Sequence, residues 1–211
     1  MKKAFQCLVV ISVFLLIYSA VVQIRHGFYH QLGYLALTIA TSLIAPSAVH
    51  LFKLKNSWGI LFWVQLFITV SMIWGHTLNG YALMGFDKVL HFSSGVMICY
   101  GITGFYCWMK KQWKETTMRD FILKCISIQG INMMIAFLWE VFEFACLVFF
   151  DIDAINHYTQ GVYDTMTDMI VCFLGGCLFL WLLWRHQRKN KKNILITSLE
   201  EFYLSNFNEN C

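Results

Sequence analysis

The sequence predicts an all-α protein, a polytopic transmembrane bundle of six helices with both termini in the cytoplasm. Three observations predict this class. Of the 211 residues, 58% are hydrophobic and only 13% are charged, whereas soluble domains carry about 25% charged residues. Six apolar runs are long enough to cross a hydrocarbon core of about 30 Å. The basic residues lie almost entirely in alternate connections between those runs.

The apolar runs define the predicted spans and the domain organisation. They cover residues 4–24, 32–52, 58–78, 89–109, 121–150 and 166–184. The first run is longer than the apolar region of a signal peptide, roughly 7–15 residues, so we expect it to be a retained helix. The fifth exceeds a simple span, so we expect it to tilt or to extend beyond the bilayer.

Residues 1–184 are therefore the predicted transmembrane domain, and residues 185–211 a basic cytoplasmic tail. Within that tail, residues 194–203 form either a short helix on the inner membrane surface or a frayed end.

The distribution of lysine and arginine predicts the orientation. Fourteen of the sixteen basic residues lie at the N-terminus, around the second and fourth connections and in the tail, and only Arg25 and Lys88 lie on the other side. Because cytoplasmic connections carry the excess of basic residues, six crossings with both ends inside account for this division. Short basic runs at membrane edges argue against nucleic-acid binding. We therefore expect membrane lipids to be the partners of this chain, and no nucleic acid.

Polar chemistry is concentrated near the outer ends of the last three runs. An ionisable group inside a span costs at least about 2.5–3.5 kcal/mol on insertion scales, so each one needs a reason. Three pairs stand out: Asp87 with His91, Glu140 with Glu143, and Asp164 with Asp168. Their spacings of three or four place each pair on one face of a helix. Gln129, Asn132 and Ala136 extend the face of the second pair inward, which gives a polar stripe at helical period.

Each pair also has a purely structural interpretation. Asp87 and Asp164 would cap or complement helix N-termini, His91 would be a satisfied interfacial histidine, and the acids of the fifth run would be neutral groups packed between helices. The occurrence of all three pairs at one depth favours a shared site instead. Such groups repel one another unless a divalent cation or bound protons offset their charge. On this side the available fixed basic partners are Lys88 and Arg25.

These motifs resemble those of a known group of proteins. Asp87-Lys88-x-x-His91-Phe92, Glu140-x-x-Glu143 and Asp164-Thr165-x-x-Asp168 followed by Gly175 are similar to segments of the VanZ-like bacterial membrane proteins. They resemble more closely the YjdF-like inner-membrane family of unknown function, over about residues 80–180. The resemblance implies a small multi-pass protein of the bacterial plasma (inner) membrane. VanZ-like members are associated with reduced sensitivity to a glycopeptide antibiotic, which implies a role at the cell envelope.

Three functions remain open from the sequence. In the first, a divalent metal contacts a phosphate-bearing envelope lipid or its head group, with His91 or Glu140 as the catalytic proton carrier. The metal ligands are then Asp87, His91, Glu140, Glu143, Asp164 and Asp168. In the second, the same acids relay protons or a cation in a transporter, and the polar stripe lines the path. In the third, the chain is a structural or accessory subunit whose acids lock helices together. A glycine-rich phosphate loop, HExxH and GxSxG are all absent, so the sequence names neither a reaction nor a substrate.

Overall fold

The computed structural model describes residues 1–29, 32–154 and 156–207, and over these ranges the chain is helical and contains no strand. The helices are α1 (Lys2–Arg25), α2 (Leu32–Leu51), α3 (Trp58–Ile68), α4 (Phe86–Lys110), α5 (Met118–Phe150), α6 (Val162–Lys189) and α7 (Ile194–Phe207). A π-helical segment, Thr69–Thr77, directly continues α3. All but α7 are long and apolar enough to cross a membrane, when α3 is counted together with its π-helical continuation. The predicted all-α class with six spans is therefore confirmed, and the orientation of the termini stays a prediction.

The helices extend beyond the predicted apolar runs mainly at their polar ends. α4 and α6 each begin three or four residues before the predicted run, because their first turns carry Asp87 and Asp164. The 33 residues of α5 form one continuous helix, about 50 Å long at 1.5 Å per residue. Residues 194–203, for which a helix and a frayed end were both open, belong to α7. α6 continues to Lys189, five residues into the tail that the sequence predicts to begin at residue 185.

The chain forms two compact units, of which unit 1 comprises Met1–Phe86 and Ile194–Cys211. Hydroxyl groups connect α1 to the π-helical segment inside this unit. The Ser12 Oγ and Thr69 Oγ1 atoms are 2.8 Å apart, and Ser19 Oγ donates to the Thr77 carbonyl at 3.0 Å. Gly59 of α3 lies directly against Ser198 of α7, where a Cβ on the glycine would overlap the serine side chain. α7 is therefore packed into unit 1.

Unit 2, Asp87–Asn193, contains α4, α5 and α6 and all the predicted site residues. α4 and α6 run parallel and are in backbone contact: a Cβ at Gly95 would overlap the Cys172 carbonyl oxygen, and one at Gly175 would overlap the Phe92 carbonyl oxygen. α5 runs in the opposite direction. We call the end where α4 and α6 begin and α5 ends the acidic end, and the opposite end the basic end. Small residues at these crossings allow the close approach typical of membrane helices.

A buried lysine connects α4, α5 and the α4–α5 connection at the basic end of unit 2. Lys124, in the second turn of α5, has no solvent exposure. Its Nζ donates to the Trp113 carbonyl at 2.9 Å and to Cys107 Sγ at 3.2 Å, and it lies 3.8 Å from Glu115 Oε1. Gln187 of α6 donates to the same Trp113 carbonyl at 3.0 Å. Because the ammonium group has both a carboxylate and hydrogen-bond acceptors, its burial is compensated. Lys124 thus ties the α4–α5 connection to α5, and Gln187 ties the same connection to α6.

Candidate functional site

The acidic end of unit 2 gathers carboxylates at the first turns of two helices. Asp87 lies in the first turn of α4 and Asp164 in the first turn of α6. Asp168 follows one turn later on the same face as Asp164, and their exposed fractions are 1% and 2%, respectively. The positive end of a helix macrodipole stabilises negative charge in its first turn. Local structure therefore favours acids here, but two carboxylates this deeply buried also need a positive partner.

Lys88 of α4 is that partner. Its Nζ lies 2.6 Å from Asp164 Oδ1 and 2.7 Å from Asp168 Oδ1, and 3.4 Å from Oδ2 of the neighbouring Asp87. The side chain is 27% exposed, so the ammonium group stands at the rim of the cluster with the two aspartates beneath it. The sequence indicates Lys88 only as an available basic residue. The structure makes it the ionic link between α4 and α6.

Among the residues that the structure describes, Asp87, His91 and Asp168 form a group of metal-binding residue types with neighbouring ligand atoms. The His91 Nε2 atom lies 3.6 Å from Asp87 Oδ1 and 3.9 Å from Asp168 Oδ1. One ligand atom from each of the three residues lies within 4.8 Å of the other two. An imidazole nitrogen with two carboxylate oxygens is a donor set that suits zinc and the harder divalent transition ions. Three of the six predicted metal ligands thus lie close together, and their role as ligands stays a prediction.

Asp164 is not one of these three residues, and its carboxylate has partners of its own. Its Oδ1 receives the Lys88 ammonium group, and its Oδ2 accepts from the Asn156 amide at 2.6 Å. Asn156 lies in the α5–α6 connection with a positive φ of 50°, a conformation that asparagine tolerates better than most residues. Both oxygens of Asp164 are therefore already engaged. Its proposed role as a metal ligand stays a prediction, and the contacts observed are those of a positioning group.

Glu140, on the stripe of α5, faces the same end of the unit. It is 6% exposed, and its Oε2 atom has no hydrogen-bond partner among the described residues. The Thr165 side chain of α6 lies beside this carboxyl group, and His91 and Asp87 are among its electrostatic neighbours. A buried carboxylate oxygen without a partner is costly unless a ligand or ion completes it. Glu140 is therefore directed toward the cluster and has unused coordination capacity.

Glu143 has a different environment from Glu140. Its Oε1 accepts a hydrogen bond from the Trp139 indole at 2.8 Å, one turn back on α5. Glu140, Asp87 and Asp168 remain among its electrostatic neighbours, so it belongs to the same region. It is not one of the three residues whose ligand atoms converge. Its predicted role as a metal ligand is untested, and the indole bond gives it a structural partner.

The inward stripe of α5 connects the cluster to the middle of the unit. Asn132, Ala136 and Glu140 are all buried, as the helical period of the stripe predicts. Cys172 of α6, one turn beyond Asp168, lies with its Sγ 3.6 Å from Asn132 Oδ1. Gln129 donates through Nε2 to the Phe173 carbonyl at 3.1 Å. Polar contacts between α5 and α6 thus continue well below the carboxylates.

The sequence did not indicate three of the contacts that shape the cluster. Lys88 appeared as a candidate partner but not as the bridge between Asp164 and Asp168. Asn156 carries no signal, because it lies in a connection without periodicity. Thr165 follows Asp164 in the Asp164-Thr165-x-x-Asp168 motif. Its position next to Asp164 is the one feature of the sequence that could have indicated a contact at the site.

Six candidate spans and a buried cluster of acids, one histidine and one lysine define a polytopic membrane protein with a polar site inside one helical unit. The chain belongs to the family described as "Predicted membrane protein (DUF2238)", whose model matches residues 4–189 and so ends with the last residue of α6. This is the YjdF-like family that the motifs indicate, and that prediction is confirmed, whereas the relation to VanZ-like proteins stays a prediction. Comparisons with curated proteins and with solved structures found no match.

Proposed function

We propose that unit 2 binds a divalent cation through Asp87, His91 and Asp168, and that this ion handles a phosphate-bearing envelope lipid or its head group. The convergence of the three ligand atoms carries the proposal. Ligand atoms about 2.1 Å from a tetrahedral or octahedral ion lie about 3.0–3.4 Å from one another. The separations of 3.6 and 3.9 Å from His91 Nε2 would have to shorten by about 0.2–0.9 Å to reach that range.

The charge balance of the acidic end supports the same proposal. Seven carboxyl groups lie at this end: Asp151 and Asp153 follow α5, and Asp87, Glu140, Glu143, Asp164 and Asp168 are the predicted ligands. Lys88 is the one lysine or arginine of unit 2 at this end, because the others lie in or near the α4–α5 connection and the end of α6. A second positive charge would relieve the excess of negative charge. The partnerless Oε2 of buried Glu140 gives an added ion a further acceptor.

The residues around the proposed ion fit phosphate chemistry. When bound, a divalent ion polarises a phosphate oxygen and activates a coordinated water molecule. Lys88, held at the rim by Asp164 and Asp168, presents an ammonium group that can contact a phosphate oxygen. With His91 bound to the ion, Glu140 is the group that would hold or release a proton at the substrate. Envelope lipids and their precursors bring a phosphate to the membrane surface, which is where helix-end residues can reach it.

Metal content tests the proposal directly. We expect protein purified in detergent and equilibrated with Mn²⁺ or Zn²⁺ to hold the ion. Asp168→Asn should weaken the affinity by at least about 100-fold, because loss of a residue that only hydrogen-bonds a metal ligand already costs up to about 100-fold. Titration calorimetry and elemental analysis measure both quantities. Asp151→Asn is the matched control, because it makes the same chemical change at an exposed acid that ends α5 outside the cluster. Equal, near-zero metal content in all three proteins would remove the proposal.

Cation-coupled transport is a second candidate, because the polar stripe continues inward from the cluster. Asn132 has no solvent exposure, and its Nδ2 has no hydrogen-bond partner among the described residues. A transport path through unit 2 would pass this amide. We then expect proteoliposomes to show proton or cation flux that Asn132→Leu abolishes and that Ser127→Ala, on the exposed face of α5, leaves intact. Flux equal to that of protein-free liposomes would exclude this function.

A further inference from the structure

A cavity of about 430 Å³, open to the surface, lies at the basic end of unit 2, far along the chain from the carboxylate cluster. Its lining residues are Trp181, Trp184, Arg185, Lys189 and Lys191, and all come from the last turns of α6 and the residues just after it. Three cations and two indole rings thus share one concave surface. The chemistry of this lining is opposite to that of the acidic end, so it needs a different ligand.

Backbone geometry concentrates the three cations. α6 ends at Lys189, and Asn190 follows in the left-handed conformation with φ of 52°. The Lys191 backbone N–H returns to the Arg185 carbonyl at 3.1 Å, which turns the chain back over the last helical turn. This is the hydrogen-bond pattern of a left-handed helix C-cap. Lys191 is therefore folded toward Arg185 instead of continuing away from the helix.

Two of the cations are held over aromatic rings. The Arg185 guanidinium carbon lies 4.5 Å from the Trp181 ring centroid, and Lys189 Nζ lies 5.3 Å from the Trp184 ring centroid. Such stacking orients a cation while leaving its hydrogen-bond donors free. None of Arg185, Lys189 and Lys191 forms an ion pair with a carboxylate of unit 2 in the part of the chain that the structure describes. Their positive charge is consequently available to an external anion.

We infer that this cavity binds the phosphate head group of an anionic membrane phospholipid. Tryptophan side chains are enriched at the boundary between hydrocarbon and head groups, so Trp181 and Trp184 place the cavity at that depth. Clustered lysine and arginine next to a membrane span attract anionic lipids. Exposed apolar side chains on the preceding turns of α6, such as Leu174 and Leu178, provide a surface for the acyl chains. A lipid satisfies both parts of the surface at once, which a free phosphate ion does not.

Native mass spectrometry of the full chain in detergent tests this site. Phosphatidylglycerol and phosphatidylcholine with identical acyl chains are the two probes. We expect the wild-type protein to retain phosphatidylglycerol in clear preference. The double variant Arg185→Gln/Lys189→Gln should bind it about 30-fold more weakly, since each cation near an anionic lipid contributes about 1 kcal/mol. The control Lys110→Gln/Lys114→Gln removes the same charge from the same end of unit 2 outside the cavity and should change affinity by less than about threefold.

Two results would overturn the inference. The first is equal retention of the two lipids by the wild-type protein, which needs no variant to be interpreted. The second is an equal loss of phosphatidylglycerol in both double variants, which would show that net charge, and not the cavity, attracts the lipid. Both readouts are independent of any metal at the acidic end, so they leave the proposed function untouched.

Discussion

Lys88→Met should destabilise the protein by about 3–5 kcal/mol, the usual cost of removing one partner from a buried ion pair. The lysine ammonium group lies within 2.7 Å of a carboxylate oxygen on each of Asp164 and Asp168, and both acids are almost fully enclosed. Methionine keeps the length of the aliphatic chain but leaves two negative charges without compensation. The free energy of unfolding in mixed detergent micelles measures the loss.

Two comparisons make this result specific to the cluster. Lys110→Met removes an exposed lysine from the last turn of α4 and should change stability by no more than about 0.5 kcal/mol. Adding Asp168→Asn to Lys88→Met should cost less than the sum of the single changes, because the second substitution removes one of the charges that the first left unpaired. Strictly additive effects, or equal losses at Lys88 and Lys110, would contradict the assigned ion pairs.

The same variant also bears on the proposed cation. Without Lys88, an ion bound by Asp87, His91 and Asp168 would supply positive charge at the position the lysine left. Added Mn²⁺ should therefore recover part of the lost stability, by about 2.7 kcal/mol at a concentration 100 times its dissociation constant. A loss of stability that Mn²⁺ does not reverse would support a structural role for the lysine without a metal site.

Gly175→Ala and Gly95→Ala should each destabilise unit 2 by about 3 kcal/mol, near the upper end for overpacking. The added methyl group would overlap a carbonyl oxygen of the facing helix, Phe92 O or Cys172 O, and a backbone atom cannot rotate away as a side chain can. α4 and α6 would have to separate, which also lengthens the contacts of Lys88 with α6. Thermal unfolding in detergent gives the magnitude.

Gly101→Ala is the matched control for these glycines. Gly101 lies on α4 as Gly95 does, but a Cβ there meets no atom within 4 Å. Alanine should be neutral or stabilising by up to about 1 kcal/mol, because it reduces the conformational entropy of the unfolded chain. Equal tolerance of Gly95→Ala and Gly101→Ala would contradict the backbone contact between α4 and α6 at Gly95.

The helical fold could be predicted from the sequence because the patterns that indicate it lie within single segments of the chain. Runs of about 20 apolar residues predict spans through their length alone, and all six appear as helices. The same local logic placed Asp164 with Asp168, and Asn132 with Glu140, on shared helix faces. It also located the acids of the site at the beginnings of α4 and α6 and near the end of α5.

The relative positions of the site residues could not be predicted in the same way, because they depend on contacts between helices. The register of α4 against α6 follows from which backbone carbonyls meet Gly95 and Gly175, and periodicity within one helix carries no information about that. The same register brings Lys88 between Asp164 and Asp168. The position of Asn156 depends on the path of a connection. The sequence therefore predicts six acidic and histidine residues for the site. It does not predict the contacts between helices that bring three of them together and give the others different partners.

Lys124 has a consequence for how the chain enters the membrane. It is one of the fourteen basic residues that predict the cytoplasmic side, yet it is fully enclosed in unit 2, against Trp113 and Glu115. Orientation is set while each segment is still being threaded into the lipid phase, before its neighbours have assembled around it. With the predicted orientation, one ammonium group serves twice: first as a positive charge that helps to set the topology during insertion, and later as a buried contact between elements of unit 2.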